Sequence, residues 1–118
     1  MSNGPKPHDC IMNYTDEWGD NYKLRFYKAR YQMGGMAILA ECCEDDGFWE
    51  PYADVTTYIF APKGDNCAYL DTNNAGHLIQ KMVDAGYVEL TGRTAQSGWC
   101  TYPEGHFNEK WLAELEEL

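Results

Sequence analysis

Basic residues are scarce in this chain. Nine Lys and Arg stand against 19 Asp and Glu in 118 residues, a formal net charge of -10 with histidine neutral. Nucleic acid and anionic membranes both present dense negative charge, so neither is expected as a direct partner. Long apolar runs are missing too. The weakly polar stretch from Gln32 to Ala40 is far short of the roughly 20 apolar residues that span a bilayer. The opening MSNGPKPHDC holds no apolar segment of a secretory signal, so a cytoplasmic location is expected.

Several reaction signatures are absent. The segment Thr91-Gly92-Arg93-Thr94-Ala95-Gln96-Ser97-Gly98 could cradle an anion through its backbone N–H groups, but it lacks the spacing and the lysine of a phosphate-binding loop. Ser97 sits in no G-x-S-x-G elbow, no pair of carboxylates stands out as acid and base, and no calcium-loop spacing occurs. The chain is therefore expected not to be an enzyme. The alternative is a small enzyme or ligand-binding protein with a site around Arg93, Ser97 and Cys100. Within that segment, the favoured expectation is a loop whose Arg93 pairs with a neighbouring carboxylate.

What is present is enough for one core. Hydrophobic residues make up 44% of the chain, too many for a disordered acidic tail, and the length suits a single domain. Residues 1–10, with Gly4, Pro5 and Pro7, are expected to form a flexible arm before one domain over 11–118. The fold expected is α+β: an antiparallel β-sheet meander of about four to five strands with two helices packed on it. Ile11 to Trp18 and Tyr22 to Tyr31 read as a hairpin around Gly19, Asp20 and Asn21. Met36 to Cys43 and Asp54 to Phe60 continue the meander, and Cys67 to Leu70 is a candidate edge strand.

A helix is predicted from about Asn74 to Ala85, with Asn73 or Asn74 as N-cap and Gly86 at a left-handed C′ position. His77 falls on its polar stripe and is expected to face solvent. A second helix is predicted from Glu109 behind Asn108, with Phe107 and Leu112 as a hydrophobic staple. Trp111, Leu115 and Leu118 would be its buried stripe. Glu116, Glu117 and the terminal carboxylate oppose the helix dipole, so its last turn should fray.

The strongest local feature is an acidic run without a basic residue: Glu41, Glu44, Asp45, Asp46, Glu50 and Asp54. Its members lie close enough to act as one negative patch toward a cationic surface, or simply as a solvated turn. Phe48 and Trp49 lie inside the run, and exposed aromatics beside charge make binding hot spots. The predicted partner surface is thus Glu41, Glu44, Asp45, Asp46, Phe48, Trp49, Glu50 and Asp54. Five cysteines cannot all pair, and no C-x₂-C motif occurs. Small buried thiols are the favoured reading of Cys43, Cys67 and Cys100, and a zinc site built from Cys10, Cys43, Cys67 and Cys100 is the alternative.

The runs Gly47-Phe48-Trp49-Glu50-Pro51-Tyr52-Ala53-Asp54-Val55-Thr56, Cys67-Ala68-Tyr69-Leu70-Asp71-Thr72-Asn73-Asn74 and Thr91 to Pro103 resemble a family of small uncharacterised bacterial proteins from conjugative elements and phages. The resemblance covers roughly Glu44 to Pro103 and implies no established activity. It does imply a mobile-element setting. An acidic protein there is expected to bind the basic, nucleic-acid-binding surface of a host defence nuclease, such as a CRISPR effector or restriction enzyme, and to block nucleic-acid loading.

Overall fold

The computed structural model describes residues 12–43, 48–62 and 64–118, so the predicted arm lies outside the described residues. Strands β1 (Met12–Thr15), β2 (Asn21–Arg30), β3 (Met36–Cys43) and β4 (Trp49–Asp54) form an antiparallel meander in that order. Alternation along β2 and β3 explains its sidedness: Leu24, Phe26, Ile38 and Ala40 are buried on one face, and Arg25, Leu39 and Glu41 lie on the other.

The meander accounts for less of the chain than expected. Strands take 53% of the described residues, because a second sheet forms from β5 (Thr56–Thr57), β6 (Cys67–Leu70), β7 (Val88–Ser97) and β8 (Cys100–Phe107), ordered β5-β6-β8-β7. The fourth meander strand comes earlier than its predicted span of Asp54 to Phe60. Cys67 to Leu70 is an inner strand rather than an edge, fully buried between β5 and β8. The chain passes from one sheet to the other at Val55, whose N–H donates to the Ile38 carbonyl and whose carbonyl accepts from Asp71, both at 2.9 Å. Next to it Thr56 stitches the two sheets. Its Oγ1 accepts from the Ile38 N–H at 3.1 Å and lies 2.9 Å from the Tyr31 hydroxyl.

Helix α1 (Thr72–Asp84) lies against the core through Ala75, Leu78, Ile79 and Met82. It begins slightly earlier than predicted, because Asp71 is the N-cap and its carboxylate accepts from Asn74 N–H. Gly86 takes the expected left-handed conformation at φ 83°. Helix α2 (Glu109–Ala113) has Asn108 as its N-cap, with the side chain accepting from Trp111 N–H at 3.0 Å.

The predicted stripe along α2 holds for Trp111 and Leu115 but not for Leu118, which is 69% exposed. The helix stops at Ala113, and the chain straightens into β9 (Glu116–Glu117), which pairs parallel to β2 at Tyr27 and Lys28. Crowded carboxylates disfavour a further helical turn. Lys28 Nζ instead donates to the Leu112 carbonyl at 2.9 Å, a cation at the negative end of the helix. Both sheets and both helices bury their apolar sides in one core. At its centre Trp111 stacks between Tyr87 and Phe107, with ring centroids at 4.9 and 5.9 Å, and meets Phe26 edge-on at 5.4 Å. Among the described residues no helix is long and apolar enough to cross a membrane.

Candidate functional site

The β3–β4 hairpin carries the predicted partner surface, and its register divides that surface between two faces. Trp49 lies opposite Cys43, Pro51 opposite Glu41, and Asp54 opposite Leu39, so Trp49, Glu41 and Asp54 belong to the outer face. Glu50 lies opposite Cys42, whose side is the core side, and reaches solvent at the rim of the edge strand. Phe48 is 76% exposed. Glu44, Asp45 and Asp46 lie outside the described residues.

On the outer face the charges are used locally. Arg25 Nε donates to Glu41 Oε1 at 2.7 Å, and its guanidinium lies 4.3 Å from the Trp49 ring centre and 5.5 Å from that of Tyr27. Trp49 therefore has a cation on its ring already. Burial, and next a hydrogen bond to Glu41, push the Tyr27 phenol above its ordinary pKa. Beside this cluster runs a cleft of about 500 Å³, lined by Tyr27, Leu39, Glu41, Pro51, Asp54 and Leu118.

The alternative site separates. Thr91 to Gly98 is not a free loop: most of it is the outer strand of the long β7–β8 hairpin. Pairing with β8 holds it as a strand, and a register shift between Leu90 and Thr94, with Gly92 at φ 92°, absorbs the irregular part. Ser97 and Cys100 are cross-strand partners at the hairpin tip. Arg93 is turned elsewhere: its Nε donates to Glu104 Oε2 at 2.6 Å, and Thr91 Oγ1 donates to the same oxygen at 2.7 Å. Arg93 pairs with a neighbouring carboxylate, as its expected role required, and that carboxylate is only 1% exposed.

The candidate zinc ligands are dispersed. Cys43 lies on the first sheet, Cys67 on an inner strand of the second, and Cys100 at the hairpin tip. Cys10 lies outside the described residues. Among the described residues no three His, Cys, Asp or Glu side chains are grouped to hold a metal. Burial first, and then the charge of Glu104, push the Cys67 thiol up, while Arg93 opposes them. A raised pKa leaves less thiolate at a given pH. At pH 8, iodoacetamide should thus modify the partly exposed Cys100 well before Cys67 in the folded protein. Peptide mass spectrometry over a time course reads this directly, and equal rates at the two sites would contradict the placement of Cys67.

Sequence reasoning missed a second cluster, across the core from the outer face. His77 is not turned to solvent as its helical stripe suggested. It is half-buried, and its Nδ1 lies 2.7 Å from the Tyr14 hydroxyl. Tyr52 meets the Tyr14 ring edge-on at 6.0 Å. Burial leads the causes that raise both phenols, and Asp16 and Glu17 add to each. These groups floor a pocket of about 440 Å³ whose rim includes Glu17, Trp18 and the first turn of α1. Tyr14 and His77 are 63 residues apart, so no local spacing could have announced them.

Residues 23–117 match the DUF4313 family, described as a domain of unknown function. No curated protein and no solved structure matches the chain.

Proposed function

We propose, for a chain that belongs to the DUF4313 family of domains of unknown function, a non-enzymatic role as an acidic interaction protein. In this reading it acts in a mobile element, binds the basic, nucleic-acid-binding surface of a host defence nuclease, and blocks loading of nucleic acid. One observation carries the proposal: three of the chain's cations are engaged within the fold, and acids remain in large excess. Arg25 pairs with Glu41, Arg93 with the buried Glu104, and Lys28 with a helix carbonyl, in a chain of net charge -10. The basic residues of β2 are divided between its two faces, Lys23 and Arg25 on one and Lys28 and Arg30 on the other, so they do not form one basic patch.

Within the predicted patch the roles differ. Phe48, Glu50 and Asp54 are exposed, whereas Glu41 and Trp49 hold Arg25 and shape the outer face. The test is affinity capture from a host lysate with the full chain as bait. Basic nucleic-acid-binding proteins should be retained and should be eluted by competing nucleic acid or by raised salt. Neutralising Glu44, Asp45 and Asp46 together should weaken retention well over tenfold, at about 1 kcal/mol or more per interfacial charge pair. Unchanged capture by the triple variant, or retention that nucleic acid does not displace, rules the reading out.

A further inference from the structure

We infer that the pocket beneath Trp18 takes the guanidinium of an arginine side chain presented by a basic protein partner. The outer face of the first sheet supplies the physical pattern. There a Trp, a Tyr and a Glu surround one guanidinium: Trp49 at 4.3 Å, Tyr27 at 5.5 Å and the Glu41 carboxylate at 2.7 Å. The pocket between the β1–β2 turn and α1 is bordered by the same three residue types, Trp18, Tyr52 and Glu17. No Lys or Arg lines it, and among the described residues no cation pairs with Glu17.

The parts are held in place before any ligand arrives. Asp16 is buried, and its Oδ1 accepts from both Trp18 N–H and Asp20 N–H at 2.9 Å. The turn is thereby closed, and Trp18 is presented 79% exposed at the pocket rim. Tyr14 is hydrogen-bonded to His77 and packs edge-on against Tyr52, which fixes the rings of the floor. Opposite them the first turn of α1 is irregular at Ala75 (φ −127°, ψ 26°), and a Cβ added at the neighbouring Gly76 would meet nothing within 4 Å. That wall therefore leaves room for a side chain.

The local field has the right sign. After burial, Asp16 and Glu17 both disfavour ionisation of Tyr14 and Tyr52, so these two carboxylates add negative potential at the floor. The positive end of α1 is already met by Asp71, whose two carboxylate oxygens accept from Asn74 N–H at 3.3 Å and Asn74 Nδ2 at 3.0 Å. A planar guanidinium can lie on the Trp18 ring while it donates to Glu17, which an ammonium cannot do equally well. The choice of a protein-borne arginine rests on the proposed binding of a basic partner surface. The pocket itself is testable without that partner.

The experiment is an NMR titration of the full chain with N-acetyl-arginine amide, with the neutral N-acetyl-citrulline amide in a parallel series. Saturable shifts are expected at the Trp18 indole N–H and the Tyr52 ring with the arginine probe only. Trp18→Ala and Glu17→Gln should each weaken the response at least about fivefold, consistent with a partly desolvated cation–π contact or a charge-assisted pair. Both residues are exposed, so neither change threatens the fold. The triple neutralisation of Glu44, Asp45 and Asp46 should leave the titration intact. An equal response to citrulline, or shifts that centre on Phe48 and Glu50, overturns the pocket assignment. Failure of lysate capture with an intact arginine titration removes the proposed function and leaves the pocket standing.

Discussion

Replacing Phe26 with alanine is expected to destabilise the protein by about 3–5 kcal/mol, the range for truncating a fully buried aromatic. Phe26 has no exposed surface and sits where the first sheet meets the aromatic stack, edge-on to Trp111 at 5.4 Å and to Tyr87 at 6.3 Å. Its neighbours cannot close the space. Trp111 is clamped between Tyr87 and Phe107, and Phe107 is itself fully buried on the second sheet. The cavity would therefore persist, and the loss should exceed the transfer term alone. Small domains have only about 5–15 kcal/mol in total, so the variant should be close to unfolding at room temperature. Urea titration followed by tryptophan fluorescence measures the change. A loss below about 1 kcal/mol would mean that the stack does not bridge the two sheets as described.

The second large effect belongs to Arg93. Its partner Glu104 is 1% exposed and receives Arg93 Nε and Thr91 Oγ1 on one oxygen. Removing a cation from beside a buried carboxylate leaves an uncompensated charge, which costs about 3–5 kcal/mol in fully buried pairs. Arg93 itself is 57% exposed, so solvent screening reduces the expected cost of Arg93→Ala to about 2–3 kcal/mol. The isosteric Glu104→Gln removes the charge while keeping an acceptor for Thr91. The double variant Arg93→Ala/Glu104→Gln should therefore recover much of the stability lost in the single variant, and a double-mutant cycle isolates that coupling. If the two single effects simply add, the ion pair is not what allows Glu104 to be buried in the sheet.

These two predictions involve residues that were visible to very different degrees in the sequence. Phe26 lies on the apolar side of an alternating strand, and alternation is a local signal with period two. The helix caps were similarly legible. Asn108 precedes α2, Gly86 follows α1, and the shift of the α1 cap to Asp71 is small. Arg93 was assigned a carboxylate partner but in the wrong setting. A run of Thr, Gly, Ser and Gln resembles a loop when read alone, and only pairing with Cys100–Phe107 makes it a strand. The same cause underlies the missed second sheet, since β6 finds β8 more than 30 residues later in the chain.

The acidic run shows the limit in another form. Its charge could be counted from the sequence, but strand alternation places Glu41 and Asp54 on one face and Glu50 on the other. Arg25 then draws Glu41 and Trp49 into a cluster of their own. The Tyr14–His77–Tyr52 group had no sequence signal, because a helix and two separate strands contribute one residue each.

The sequence by itself determined the net charge of -10, the presence of one core, the strand alternation and the main helix signals, because each depends on composition or on neighbours within a turn or two. Tertiary structure alone decided which carboxylates are spent on arginines, that His77 turns inward, and that Trp18, Tyr52 and Glu17 border one pocket. Those outcomes depend on strand register and on the packing of α1 against the core. Both are set by contacts between distant segments, whose free energy exists only once the chain has closed on itself.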